Sequence, residues 1–199
     1  MKDEIGKILQ SLELRARKCH RCELSKTRLN VVFGAGPETA EVMVVSEAPG
    51  ATEDQTGIPF TGAAGKKLDG LLAEAGLDRN SVYICNVLKC RPPGNRDPLP
   101  EEIEACRPFL VGQISAIKPK LIVALGRIAA GELLGRRVAM AMEHGTLVDC
   151  VYCGVKFKLF ITYHPAAGLY GAEAGRRLRE DFKKLGAIIE AIQRTTFLQ

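Results

Sequence analysis

Four short apolar runs, at residues 42–45, 82–88, 121–125 and 159–163, are separated by stretches with helical periodicity. Each run is rich in Val, Ile and Leu and too short for a buried helix, which marks strands buried on both faces. Between them, apolar residues recur every three or four positions. Ile5, Ile8, Leu9 and Leu12 predict a helix over 2–17, and Leu68, Leu71 and Leu72 one over 63–75 with Gly76 beyond its end. A third begins near Pro100-Glu-Glu and buries Ile103, Cys106, Leu110, Ile114 and Ile117, with Pro108 expected to kink or split it. A short helix follows at 128–134. A long one at 174–193 buries Leu178, Phe182, Leu185, Ile188 and Ile192. Residues 146–157 alternate loosely around Cys153-Gly154, as a β-hairpin would. Alternating strands and helices predict an α/β fold: a three-layer α/β/α sandwich around a mainly parallel four-stranded sheet. No linker divides the 199 residues, so 1–199 reads as a single domain.

Hydrophobic residues make up 46% of the chain without any long apolar run, which argues against a membrane helix. The first residues carry acids and lack a signal segment, so the chain reads as soluble and intracellular. The net charge of +5 leans towards a polyanionic partner. Repeats and low-complexity tracts are absent.

In open α/β sheets, ligands bind beyond the carboxyl ends of the strands. Glu47, Asn86 and His164 stand at three such ends and are expected to converge. After Glu47-Ala48-Pro49-Gly50 the chain crosses a polar loop, brings back Phe60 as a flat apolar face, and enters a helix near Gly62. Gly62 and Gly65 there would leave backbone N–H groups open to a phosphate. An ordinary strand–loop–helix connection explains the same residues taken alone. Neither a P-loop lysine nor the dinucleotide glycine fingerprint is present.

Seven cysteines without an export signal point away from disulfides, towards metal or redox chemistry. Cys19-x-x-Cys22 combines with Cys90 and Cys106 into four thiols suited to an iron–sulfur cluster. It combines equally with Cys150-x-x-Cys153 into a zinc-ribbon set. Spacing does not decide between them. Cys90 has two local advantages, an irregular proline loop and flanking Lys89 and Arg91 to offset negative charge. Cys85, within a strand, reads as a core residue.

Three motifs together resemble family 4 uracil-DNA glycosylases. Glu47-Ala-Pro-Gly50, Glu53-Asp54, Gly57-x-Pro-Phe60 and Gly62-x-Ala-Gly65 resemble their first motif. The run from Asn86 to Pro93, with Asn95-Arg96, resembles the second, and His164-Pro-Ala-Ala the third. The resemblance spans nearly the whole chain. It implies a 4Fe–4S cluster on Cys19, Cys22, Cys90 and Cys106, leaving Cys150 and Cys153 in the hairpin, and uracil-containing DNA as partner to a monomeric enzyme. Two positions depart from the family: Ser46 replaces the usual glycine before the motif glutamate, and Gly168 stands where relatives often carry a bulkier residue in the DNA-facing loop. A sister branch that is trapped covalently on uracil DNA has a basic insert after the second motif, and none lies between Cys90 and Cys106.

Excising a base requires that it leave the stack and depart as an anion or protonated. The residues match those demands. Phe60 offers a stacking surface. Asn86 can accept from uracil N3–H and donate to O4, a pattern cytosine reverses. By resemblance, His164 donates to O2 and stabilises the leaving anion. Glu47 orients water, stabilises the cationic sugar or guards C5, with the Ala48 backbone an alternative holder of the water and Pro49 beside it. Lysine is absent from the motifs' pocket-facing positions, which implies a monofunctional enzyme. Leu169 or Tyr170 would fill the gap left by the flipped base, and Gly65, Arg91, Lys66, Lys67, Arg96 and the basic face of the last helix would meet phosphates. Two rival readings are a non-catalytic iron–sulfur or zinc nucleic-acid-binding module and a flavodoxin-like redox protein.

Overall fold

All four apolar runs become strands, and the alternation of side chains along them sorts the core into two layers. In the computed structural model, which describes residues 2–196, β1 (Val42–Ser46), β2 (Val82–Asn86), β3 (Leu121–Leu125) and β5 (Val155–Thr162) are parallel. β4 (Thr146–Tyr152) pairs antiparallel with β5 and completes the order β2-β1-β3-β5-β4. Met1 and residues 197–199 of the expected 1–199 span lie outside the described residues.

The sheet therefore has five strands rather than four. The second arm of the expected hairpin and the fourth apolar run are one continuous strand. Cys153 and Gly154, at φ 47 and 84, form the tight turn that folds β4 back on it in register. Positive φ at both central residues matches the twist of a two-residue hairpin. At the other end β2 stops at Asn86, earlier than expected. The Val87 and Leu88 N–H groups still follow β1, donating to the Ser46 and Glu47 carbonyls at 2.8 and 3.0 Å.

Among the described residues the helices are α1 (Lys2–Arg17), α2 (Ala51–Thr56), α3 (Ala63–Glu74), α4 (Pro100–Ile117), α5 (Arg127–Leu134), α6 (Met140–Glu143), α7 (Ala167–Tyr170) and α8 (Ala172–Thr196). Met43, Val45, Tyr83, Cys85, Ile122 and Ile161 share one face of the sheet with buried residues of α1, α4 and α5. Val44, Ile84, Val123, Leu125 and Phe160 share the other with α3 and α8. Strand side chains alternate between faces, so each strand seals both layers. Leu178, Phe182 and Leu185 of α8 are fully buried. Each such side chain contributes roughly 1.5–3 kcal/mol relative to exposure. Pro108 does not split α4: its ring is exposed, while Phe109, Leu110, Gln113 and Ile114 keep the buried stripe continuous. Among the described residues no helix is long and apolar enough to cross a membrane.

β2 is an outer strand. Its free edge is met by an isolated antiparallel bridge from Ala35 to Ile84. Gly36 follows so closely that a Cβ there would lie 2.2 Å from the Val82 carbonyl. The strand order reverses between β1 and β3, which opens a crevice at their carboxyl ends.

Candidate active site

The crevice is a cavity of about 340 Å³ whose lining includes Glu47, Ala48, Pro49, Glu53, Phe60, Asn86, Arg96 and His164. The three strand-end residues thus meet, as the parallel register requires: Ser46 lies opposite Asn86, and Glu47 follows it.

The supposed polar loop after β1 is helix α2, and Glu53 is the reason. Its Oε2 accepts the Gly50 N–H at 3.1 Å and its Oε1 the Gly62 N–H at 2.8 Å, so one carboxylate pins both ends of the loop. The Gly65 N–H bonds to the Gly62 carbonyl at 3.0 Å. The open anion cradle expected at Gly62 and Gly65 is therefore closed, because both donors already have partners. Gly65 is buried rather than turned to DNA, and a Cβ on it would sit 1.7 Å from the Phe60 carbonyl oxygen. That approach holds Phe60 at φ 55, a costly conformation for a bulky residue. Arg79 clamps it further, through the Phe60 carbonyl and, at 3.2 Å, the Pro59 carbonyl.

Phe60 and His164 stack with centroids 5.8 Å apart. The Ala166 N–H donates to His164 Nδ1 at 3.1 Å. Burial holds His164 below its ordinary value of 6.5, with Glu53 opposing. The ring is neutral at pH 7, and with Nδ1 accepting, its proton is on Nε2. Burial also raises the Glu47 carboxyl above its ordinary 4.5, Asp97 adding to the effect and Arg127 opposing it. Asn86 Oδ1 and Ser46 Oγ are buried without a hydrogen-bond partner. They occupy paired positions on adjacent strands.

Two residues before His164 the environment reverses. Thr162 donates to Asp181 Oδ2 at 2.7 Å, and His144 Nδ1 lies 3.0 and 3.1 Å from the Asp181 oxygens. His144 also packs on Tyr163 at 4.7 Å.

The residues expected to contact DNA are dispersed. Leu169 and Tyr170, at 43% and 89% exposure, project from α7. Position 168 points inward: a Cβ there would meet Leu178, Lys67 and Gly175 rather than a DNA-facing surface. Arg91 bonds to Asn95, and Arg96 pairs with Glu102. On the basic face expected of α8, Arg176 pairs with Glu173 and Glu180 within the helix, and Lys184 donates to the Gly145 carbonyl.

Cys19, Cys22, Cys90 and Cys106 line one small cavity with Arg21, Arg28 and Lys89. Arg28 donates to Cys90 Sγ and the Lys89 N–H to Cys106 Sγ, both at 3.2 Å. Burial pushes the Cys106 thiol up to about 12 and raises that of Cys90. Cys150 instead donates to the Leu133 carbonyl, and Cys153 is exposed in the hairpin turn. The zinc-ribbon set is therefore not assembled. Among the described residues, no three Cys, His, Asp or Glu side chains form a site for a single metal ion.

The family model of the uracil DNA glycosylase superfamily matches residues 33–187. A type-4 uracil-DNA glycosylase of Archaeoglobus fulgidus is 46% identical over 183 residues, 90% of this chain and 92% of that one. The chain belongs to the type-4 uracil-DNA glycosylases. A Thermotoga maritima relative of the same name is 42% identical over 92% of this chain and 95% of its own. One from Pyrobaculum aerophilum is 48% identical over 81% and 84%. Within this family's framework, sequence reasoning missed the roles of Glu53, Arg79 and Arg127. The Gly50-x-x-Glu53 spacing was a readable capping signal, whereas the two arginines act across distances that no local pattern reveals.

Proposed function

We propose that this chain is a monofunctional uracil-DNA glycosylase, folded as one domain, monomeric and intracellular with access to DNA. The observation that carries the reading is the buried Asn86 side-chain oxygen Oδ1, without a partner among the described residues, in the same cavity as a neutral His164. A buried polar atom left unpaired costs about 1–3 kcal/mol, which a uracil N3–H would relieve. The Asn86 amide donates to O4, and cytosine mismatches both groups. The flipped base stacks on Phe60. The His164 Nε2–H donates to O2 and takes up the charge that builds as the glycosidic bond breaks. Glu47 supplies negative charge beside the cationic sugar and a site for the attacking water. Lysine is absent from the cavity lining, so no amine is placed to form a Schiff base. Leu169 and Tyr170 enter the DNA where the base has left, and Arg91 contacts a phosphate.

Cys19, Cys22, Cys90 and Cys106 would hold a 4Fe–4S cluster. The donor set fits: four thiols share one cavity, with cationic and N–H donors on two sulfurs. When bound, the cluster supplies iron–thiolate bonds that join the segment after α1 to the segment after β2 and to α4.

The test is incubation with uracil-containing DNA. Free uracil and alkali-labile sites are expected, with intact strands before alkali. Absence of uracil release overturns the reading. Iron and sulfide should be present together, lost on replacing Cys90 and kept in Cys153→Ser.

A further inference from the structure

One buried side chain connects the cavity to the cysteine site. Lys89 is 1% exposed. Its ammonium donates to the Asn86 main-chain carbonyl at 2.7 Å and to Gln113 Oε1 at 2.6 Å, and lies 5.8 Å from the centre of the Phe33 ring. Gln113 is fully buried, and its Nε2 donates to the Phe33 carbonyl at 2.9 Å and to the Tyr83 hydroxyl at 3.0 Å. Those two acceptors fix which end of the amide is nitrogen, so the Gln113 oxygen is committed to Lys89. Through its main chain, Lys89 reaches the thiols. Its N–H donates to Cys106 Sγ at 3.2 Å, its carbonyl accepts from Val32 at 2.8 Å, and Cys90 is the next residue.

Asn86 ends an outer strand. Beyond it the Val87 and Leu88 N–H groups still bond to β1 and its extension, and the Lys89 ammonium closes a small loop back onto the Asn86 main-chain carbonyl. The peptide plane after Asn86 is thus anchored at both its groups, the Val87 N–H on the Ser46 carbonyl and the Asn86 main-chain carbonyl on Lys89, and the second anchor is the one that ties the base of the Asn86 side chain to the cysteine segment. Without it, a buried carbonyl loses its donor and the carboxamide keeps only the Val87 anchor at its base. We propose that Lys89 is a positioning residue that couples the four-cysteine site to base reading, holding Asn86 with its side chain while its main chain is held at Cys90 and Cys106. The proposal rests on the reading of Asn86 as the group that recognises uracil.

A double-mutant cycle on the full, iron-loaded chain tests it. Lys89→Met keeps the stem and removes the donors; Gln113→Leu removes one acceptor of the ammonium and is the milder change. Each is measured in the parent and in an Asn86→Ala background. The readouts are single-turnover uracil excision, affinity for a duplex carrying an uncleavable deoxyuridine analogue, iron content and melting temperature. A displacement of about 1 Å can cost on the order of 10²-fold in rate. Lys89→Met should therefore lower rate and analogue affinity by tenfold or more, about that order, in the parent and by less than about twofold beyond Asn86→Ala. Gln113→Leu should show the same non-additivity with a smaller loss, and carries the cycle if Lys89→Met does not fold. Equal fold-losses in both backgrounds make Lys89 a general structural residue and overturn the coupling. A parent that releases no uracil overturns the glycosylase reading instead, and the coupling with it.

Discussion

Two histidines flank the end of β5 under opposite conditions. His144 is closed: its Nδ1 meets the Asp181 carboxylate, the Thr162 hydroxyl donates to the same carboxylate, and the ring packs on Tyr163. His164 is open: among the described residues only Nδ1 is bonded, by the Ala166 N–H, and the cavity it lines holds the unpaired Asn86 Oδ1. Buried polar groups in folded chains almost always find partners. The His144 cluster obeys that rule and so stabilises the fold. The His164 cavity breaks it at Asn86 Oδ1, the atom on which the proposed base recognition rests.

The comparison is broken most directly by exchanging the losses. His164→Ala should lower the single-turnover rate by ~10²–10³, the usual loss for one anion-stabilising donor, with little change in affinity for uncleavable uracil DNA. His164→Gln keeps a donor and should lose less. His144→Ala should keep most of the rate and lose roughly 1–3 kcal/mol of stability, as Asp181 is left underpaired. If His144→Ala slows excision as much as His164→Ala, the division between the two sites is wrong.

A smaller effect is expected one strand away. Asn86→Asp replaces the O4 donor by an acceptor that repels the leaving anion. A single mispaired buried group at about 1–3 kcal/mol corresponds to a rate loss of roughly 5- to 150-fold. Unchanged excision by Asn86→Asp would remove the edge-reading role.

The pH dependence separates the open site's two titrating groups. Glu47 is raised above 4.5 and His164 lowered below 6.5, so excision should fall on the acid side of pH 6.5 as the neutral imidazole and the carboxylate are lost. The stability signs are opposite. His164 contributes stability above pH 6.5 that is lost as pH falls towards its folded value, whereas Glu47 contributes below pH 4.5 and its contribution is lost as pH rises through its folded value. Glu47→Gln should therefore abolish excision yet melt higher at pH 7, with the gain vanishing below pH 4.5. A lower melting temperature at pH 7 would count against the buried-carboxylate account.

The smallest effect belongs to Ser46. Its hydroxyl is buried and unpaired, so Ser46→Ala should stabilise by about 1 kcal/mol, or roughly 2–4 °C. A lower melting temperature would show that the hydroxyl has a partner in solution.

Much of the fold was legible because it depends on local patterns. The Val and Leu runs became strands, and the spacing of Leu178, Phe182 and Leu185 became the buried face of α8. The β5 extension was missed because Val155-Lys-Phe-Lys alternates like an exposed hairpin arm while Leu159-Phe-Ile-Thr reads as a buried run, and the two are one strand. In the site, residue types at strand ends identified Glu47, Asn86 and His164. Gly65 was misread because a glycine required by a close carbonyl looks, in sequence, like one that exposes its N–H. Lys89 read as a flanking charge because nothing local signals that its ammonium turns inward to Gln113, twenty-four positions on.

The outer position of β2 carries a hazard as well as a function. A strand at a sheet margin offers unpaired N–H and C=O groups to any other exposed strand. Here the bridge from Ala35 to Ile84 and the tight seating of Gly36 on Val82 occupy that margin. Asn86 thus sits on one of the two margin strands of the sheet. Loosening the 33–36 segment would expose a template for self-association beside Asn86. Substitution of Gly36 should therefore first appear as loss of solubility at high protein concentration, in molecules whose cavity residues are all intact.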